Sequence, residues 1–111
     1  MNRLMDLTAG GRRVWIYLDT RSERELFADQ CREEGIHFSD GHALTGENCS
    51  YVMTLFPDGS LCHTSVRFWV MSFEREMGGT PLRVDYRAFR TGEEDYVCRE
   101  AHFVVGGVYS G

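Results

Sequence analysis

Residues 13–41 constrain the fold more than any other part of the chain. They begin with a short run, residues 14–18, in which every position is apolar. A strand that is apolar on both faces is typical of the centre of a sheet covered on both sides. An amphipathic segment, a glycine and a turn follow it. This stretch therefore predicts a central strand that leads into a helix packed on the same sheet.

The predicted helix carries start and stop signals. Thr20 and Ser22 are each followed three residues later by a glutamate, which is the register of a capping box. The side chains that we expect to face the sheet recur at helical spacing: Leu26, Phe27, Gln30 and Cys31. Gly35 stands where a left-handed residue ends a helix, and Ile36 is placed to close a Schellman motif against Cys31.

A β-hairpin is predicted in the middle of the chain, after a polar loop at residues 42–50. Residues 51–56 and 60–65 read as strands on either side of the turn sequence PDG, in which proline and glycine suit a tight turn. Residues 66–77 fit either a strand or one side of a short helix, and the pattern leaves both open. Residues 82–88 alternate apolar and charged side chains, which predicts a half-exposed strand.

These elements predict an α+β protein in which one main helix packs on a mostly antiparallel sheet of four or five strands. The length of 111 residues fits a single domain. We expect residues 1–12 to be a loose N-terminal segment and residues 106–111 to be a mobile tail. The apolar runs of the chain, such as residues 68–71, are far shorter than the roughly 20 residues that a membrane-spanning helix needs. The N-terminus has no apolar core of signal-peptide type, so we expect a cytoplasmic protein.

The charge of the chain narrows the kinds of partner it can have. A net charge of −5 argues against direct binding to nucleic acid, which depends on clustered basic side chains. All 12 basic residues are arginine, which excludes Schiff-base and lysine-base chemistry. Residues 19–40 carry a local charge of −4 and residues 91–100 carry −3, which leaves +2 for the rest. The sequence thus concentrates its acidity in two stretches.

The first acidic stretch includes a row of like charges on the predicted helix. Glu25, Asp29 and Glu33 follow one another at i, i+4 spacing, which destabilises an isolated helix by about 0.2–0.5 kcal/mol for each pair. One interpretation is a solvated face relieved by Arg21 and Arg32. The other is an acidic surface that binds a basic protein partner, such as the nucleic-acid channel of a defence enzyme.

Further candidate partner-binding residues lie in the second half of the chain: Glu93, Glu94, Asp95, Arg83, Arg87 and Trp69. The three acids belong to the second acidic stretch. Arg83 and Arg87 lie on the exposed face of the predicted strand, with Arg90 just beyond, either as charges that protect an edge strand or as a second contact patch. Trp69 fits a core residue, but tryptophan is also a common interface anchor.

Metal binding and catalysis have weak support in the sequence. The cysteines form no C-x-x-C pair and read as free thiols: Cys31, Cys49, Cys62 and Cys98. Structural zinc sites bring ligands in close pairs, and Cys62 and His63 would point to opposite faces of a strand. Cys49 with Cys98, His37 or His42 would depend on the fold to gather them.

The sequence does not contain a complete set of catalytic residues in a recognisable motif. A nucleophilic Cys49 would need His42 or His102 as a base, oriented by a third group. Asp40 and Asp58 precede glycines in turns, which explains both without catalysis, and Asp85 is the remaining candidate carboxylate. We therefore predict a protein that is not an enzyme, with no cofactor and no metal. A small metal-binding or cysteine-dependent module is the alternative.

Three segments resemble small uncharacterised proteins of Firmicutes and of their phages and mobile elements. These are FADQCREEGIHFSDG at residues 27–41, YVMTLFPDGSL at 51–61 and RVDYRAFRTGEEDYV at 83–97. The resemblance covers roughly residues 13–97 and transfers no activity. It implies a bacterial or phage setting, in which short acidic proteins such as anti-CRISPR proteins inhibit host defence complexes by protein–protein contact. A further alternative is a homo-oligomeric structural protein, for example a homodimer, joined through a strand edge or the Trp69 region.

Overall fold

The computed structural model describes residues 3–74 and 81–101. The helices of this part are α1 (Arg21–Glu34), α2 (Val66–Glu74) and α3 (Tyr86–Arg90), with short 3₁₀ helices at Leu4–Thr8 and Gly46–Asn48. The strands are β1 (Val14–Tyr17), β2 (His37–Phe38), β3 (Val52–Leu55), β4 (Ser60–His63) and β5 (Leu82–Asp85). His102, residues 75–77 of the ambiguous segment and the expected tail at 106–111 lie outside the described residues.

The five strands form one mixed sheet in the order β2-β4-β3-β1-β5. β3 pairs antiparallel with both β1 and β4, whereas β5 runs parallel to β1 and β2 runs parallel to β4. The α+β class and the main helix are confirmed, but the expectation of a mostly antiparallel sheet is wrong. Parallel neighbours require crossover connections, and the chain reaches β5 through a segment that contains α2 rather than through a hairpin.

Helix α1 begins and ends where the sequence predicts. The Thr20 side chain accepts the N–H of Glu23 at 3.2 Å. Gly35 has φ of 77°, and the N–H of Ile36 donates to the Cys31 carbonyl at 2.8 Å, which completes the Schellman motif. The predicted buried stripe is confirmed except for Leu26, which is 42% exposed.

The face of the sheet that packs on α1 holds the larger hydrophobic core. The helix contributes Phe27 and Cys31 to it, and β1 contributes Val14 and Ile16. The 3₁₀ helix Leu4–Thr8 buries its leucines in the same core. The prediction that residues 1–12 are loose is therefore wrong for the described part of this segment, because apolar burial and hydrogen bonds to α1 hold it.

The loop between β2 and β3 is less polar than its sequence suggests. Leu44 and Cys49 are buried, and Gly46 lies directly against α1. A Cβ atom on Gly46 would lie 2.5 Å from the Cγ atom of Glu25, so a glycine is required at this close approach. The hairpin between β3 and β4 is confirmed, with Gly59 at φ of 87°.

The other face of the sheet packs on α2, and its core is smaller. Residues 66–74 are helical, which resolves the ambiguity of the sequence for this part. Trp69 is fully buried, with its ring centroid 5.9 Å from that of Tyr17 and 5.1 Å from that of Phe73. Its Nε1 donates to the Ala101 carbonyl at 2.7 Å. No helix among the described residues is long and apolar enough to cross a membrane.

Strand β5 is shorter than the alternating pattern predicts. The Asp85 side chain accepts the N–H of Arg87 at 3.2 Å, and this cap starts helix α3. The apolar positions beyond it, Tyr86 and Ala88, are therefore buried by a helix rather than by a strand. β5 is an edge strand, as one interpretation of its charges expected.

Candidate interaction surface

The most buried acid of the first acidic stretch is Glu23 on α1, which is 4% exposed. One carboxylate oxygen, Oε1, accepts Nε of Arg87 at 3.2 Å and Nη2 of Arg90 at 2.5 Å, while Oε2 accepts Nε of Arg90 at 3.0 Å. Hydrogen bonds from Arg90 in particular lower the pKa of Glu23. Arg87 also pairs with Asp19 at 3.1 Å. Glu23 thus joins α1 to α3 and takes no part in an outer surface.

Glu34 is a second internal acid of the same helix. Its carboxylate accepts the backbone N–H of Leu4 at 2.8 Å and that of Met5 at 3.0 Å. It also accepts Nε2 of Gln30 at 2.9 Å. These bonds fix the N-terminal 3₁₀ helix to the end of α1. Glu23, Phe27, Gln30 and Glu34 recur at helical spacing on one side of α1, and this spacing is the sequence signal that could have identified both glutamates as internal.

The predicted acidic row lies on the exposed side of α1, where arginines partly neutralise it. Arg21 lies 3.4 Å from Glu25 and 3.1 Å from Glu47 of the neighbouring loop. Arg32 pairs with Asp29 and also donates to the Leu44 carbonyl at 2.5 Å. Glu33 is exposed near the end of the helix. Most of the row is thus arranged as the solvated, arginine-relieved face that one interpretation of the sequence expected.

Arg83 and Arg87 are held by different parts of the fold. The Arg83 guanidinium lies 3.8 Å from the ring centroid of Phe73 and donates to the Ser72 carbonyl at 2.7 Å. Arg87 belongs to α3 and is engaged with Glu23. The two side chains separate because the strand ends at Asp85, where the alternation stops.

Trp69 is also corrected as a partner-binding residue. Its indole is enclosed by rings from the sheet and from its own helix, so it cannot touch a partner in this conformation. From the sequence, a tryptophan on such a helix fits a core as well as an interface, and its position beside Tyr17 decides between them.

The second acidic stretch forms an acidic groove on the surface. The groove has a volume of about 340 Å³, and the acids that line it are Asp85, Glu93, Asp95 and Glu100. Arg99 is the single basic side chain of its lining and pairs with Asp95 at 2.9 Å, which lowers the pKa of Asp95. The predicted Glu94 is exposed beside it. We call this surface the acidic groove.

The apolar side chain of Val97, which is bridged to strand β5, also lines the acidic groove. Val97 lines it and is 38% exposed. Val97 forms an isolated antiparallel bridge with Val84 of β5, which holds the groove against the sheet. The sequence shows the acids of this stretch but not the groove, because the pairing of residue 97 with β5 is a long-range contact.

Three of the four cysteines, Cys31, Cys49 and Cys98, are buried thiols. Burial raises the pKa of Cys49 to about 11 and that of Cys98 to about 12, and it raises the pKa of Cys31 as well. A thiol with a raised pKa is a poor nucleophile and a poor metal ligand at neutral pH, since both roles need the thiolate. Within the described ranges, no three His, Cys, Asp or Glu side chains are grouped so that they could hold a metal ion.

The candidate catalytic aspartates serve turns and a helix cap. Asp40 accepts the N–H of His42 at 3.0 Å, and Asp58 accepts the N–H of Ser60 at 2.9 Å. The hydrogen bonds from His42 to Asp40 and from Ser60 to Asp58 lower the pKa of both carboxyl groups. Asp85 caps α3. Each carboxylate therefore has a structural role that accounts for its position.

Comparison with known proteins gives no relative from which a function could be transferred. The chain matches no protein-family model, no curated protein and no solved structure. Function is therefore inferred from its own fold and surfaces.

Proposed function

We propose that the protein is a non-enzymatic binding protein that acts by protein–protein contact, with the acidic groove as its binding surface. The observation that carries this proposal is the concentration of carboxylates around a concave surface that also exposes Val97. A groove of this kind fits a protruding basic side chain of a partner protein.

Electrostatics and apolar contact support the proposal together. Four carboxylates against one arginine give the groove a local charge of −3, which attracts a basic surface and speeds its association. Charge alone gives little affinity at an exposed surface, where ion pairs contribute about 0–1 kcal/mol each. Val97 adds an apolar contact that a partner can cover, and interfaces commonly combine an apolar centre with a polar rim.

The kind of partner follows from the chemistry of the groove. A negatively charged surface repels nucleic acid and complements the proteins that bind it, because their channels are rich in lysine and arginine. The partner is thus a basic nucleic-acid-processing protein or complex. The resemblance to mobile-element and phage proteins gives the sharpest form of the proposal, an inhibitor of a bacterial defence complex of the anti-CRISPR kind.

The experiment is affinity capture from the lysate of a bacterial host, read by mass spectrometry, with three baits. These are the unaltered protein, the groove variant Glu93→Arg/Glu94→Arg and the matched helix variant Glu25→Arg/Asp29→Arg, which changes the net charge by the same amount. We expect a basic complex to be enriched on the unaltered protein and on the helix variant, and lost on the groove variant. Equal loss on both variants would show a non-specific charge effect and contradict the groove as the binding surface.

A further inference from the structure

Residues 96–98 lie along the outer side of β5, and two backbone hydrogen bonds attach them to this strand. The N–H of Asp85 donates to the Tyr96 carbonyl at 2.8 Å, and the N–H of Cys98 donates to the Arg83 carbonyl at 2.9 Å. Val97 lies between them, opposite Val84, and its side chain is partly exposed. Since β5 is an edge strand, Val97 marks the boundary of the sheet within the described residues.

Two grooves of opposite charge meet at Val97. The acidic groove lies toward the C-terminal end of β5, where it includes Asp85. A second groove of about 330 Å³ lies toward the N-terminal end of the strand and is lined by Arg12, Pro81, Leu82, Arg83 and Val97. We call it the basic groove. Val97 is the residue that lines both grooves.

Among the described residues, no carboxylate neutralises the positive charges of the basic groove. Arg12 donates through Nε to the Leu7 carbonyl at 2.8 Å, and Arg83 donates through Nη1 to the Ser72 carbonyl at 2.7 Å. Carbonyl oxygens orient a guanidinium group without cancelling its charge. Within residues 3–74 and 81–101, neither arginine forms an ion pair.

We propose that this edge binds a second copy of the chain, as a two-fold dimer with Val97 at the axis. A two-fold axis that passes beside Val97, perpendicular to β5, makes β5 of the second copy run in the opposite direction. The C-terminal end of β5 in one copy then lies beside the N-terminal end of β5 in the other. The acidic groove of one copy then faces the basic groove of the other, and the same contact occurs twice. An interface around a two-fold axis must be self-complementary in this way.

The spacing of charges around Val97 agrees with this arrangement. Asp95 and Arg99 lie two residues before and two residues after it, so an antiparallel approach brings Asp95 of each copy to Arg99 of the other. Within one copy they form an exposed ion pair, which costs little to exchange.

A second copy fits this edge better than an unrelated protein. A purely acidic or purely basic partner that covered the whole edge would complement one groove and be repelled by the other, whereas a basic side chain of a partner can enter the acidic groove alone. The chain itself carries both signs at the required separation, together with the apolar residue between them. This inference is independent of the proposed function, although dimer formation would cover the acidic groove and so compete with a basic partner.

The first test is sedimentation equilibrium of the full chain from about 1 μM to about 1 mM, a range that covers weak dimers. We expect a concentration-dependent dimer that Val97→Asp weakens by about tenfold or more, since it places two like charges at the axis. Leu26→Asp introduces the same charge at another exposed apolar position and should leave the dimer unchanged. A protein that stays monomeric over the whole range would overturn the proposal, as would equal effects of the two variants.

The second test uses opposite charge reversals in two separate chains. Arg12→Glu leaves the basic groove without net charge, and Glu93→Arg/Glu100→Arg gives the acidic groove a net charge of +1, so each variant should dimerise less than the unaltered protein. Mixing the two should restore a dimer, because one contact of the mixed pair again sets an acidic groove against a basic one and the other contact carries no repulsion. Native mass spectrometry distinguishes this mixed dimer by its mass. Failure of the mixture to associate, when both variants retain the circular dichroism of the folded protein, would contradict the two-fold arrangement.

Discussion

The two acidic stretches of the chain differ in what their carboxylates do. In residues 19–40, Glu23 and Glu34 are internal, and the exposed acids Glu25 and Asp29 are paired with arginines of the same helix. In residues 91–100, the acids are exposed around a groove with Arg99 as their one basic neighbour in its lining. The first stretch therefore stabilises the fold, and the second gives the surface its charge.

This difference shows that a segment's net charge does not equal the charge that it presents to solvent. The helical stretch has the larger charge in the sequence, yet the fold brings Arg87 and Arg90 to it from α3. In the lining of the acidic groove, Arg99 is the one basic side chain beside the acids of residues 91–100. A partner that recognises charge should consequently distinguish the two stretches.

The largest effect is expected for Glu23→Gln, which would break the internal ion pairs. Removing the carboxylate leaves Arg87 and Arg90 without their acceptor and should lower the free energy of unfolding by about 2–3 kcal/mol. Urea denaturation followed by circular dichroism measures this change. Glu25→Gln on the exposed side is the matched control and should cost no more than about 0.5 kcal/mol. A loss below 1 kcal/mol for Glu23→Gln would remove the distinction between the two sides of the helix.

The same carboxylate should make stability depend on pH in the acid range. Its pKa in the folded protein is lowered below the ordinary value of 4.5, mainly by Arg90. Its contribution is thus complete above pH 4.5 and is lost as the pH falls through the lowered pKa. Thermal melting between neutral and acid pH should show a steeper fall for the unaltered protein than for Glu23→Gln. Parallel curves for the two proteins would contradict this assignment.

A smaller effect is expected for Glu34→Ala, which releases the N-terminal 3₁₀ helix. The backbone N–H groups of Leu4 and Met5 lose their carboxylate acceptor, which should cost about 1–2 kcal/mol. Amide hydrogen exchange should accelerate at these two positions while the amides of β1 keep their protection. Unchanged exchange at Leu4 would show that apolar burial alone holds this segment.

The smallest effect on stability is expected in the acidic groove. Glu93→Arg/Glu94→Arg alters exposed side chains and should change the free energy of unfolding by no more than about 0.5 kcal/mol. The same urea experiment used for Glu23→Gln measures it. A loss comparable to that of Glu23→Gln would mean that these acids also support the fold, and the contrast between the two stretches would disappear.

The parts of the fold that the sequence predicts correctly depend on local chemistry. The Thr20 cap, the left-handed Gly35 and the PDG hairpin are all encoded by neighbouring residues. The errors depend on distant contacts. The parallel pairing of β1 with β5 joins residues nearly 70 positions apart, and no local pattern specifies it.

The candidate site was predictable to a similar degree. The sequence identifies Glu93, Glu94 and Asp95 as an acidic group and leaves the role of Trp69 undecided. It does not identify Val97 or Asp85 as their neighbours, since the bridge between Val84 and Val97 brings them together. The sequence does not predict the helix Tyr86–Arg90, because its apolar positions also continue the alternation of a strand. Asp85 fits both patterns, as a charged strand position and as the helix cap that it is.

The most direct test of the difference between the acidic stretches is a titration of ¹⁵N-labelled protein with a short arginine-rich peptide, followed by amide chemical shifts. The peptide serves as a probe for a basic partner. We predict shift changes that concentrate at Asp85 and residues 93–100, with small changes at Glu25, Asp29 and Glu33. Larger changes along the exposed side of α1 than around the acidic groove would contradict the assignment of recognition to the second stretch.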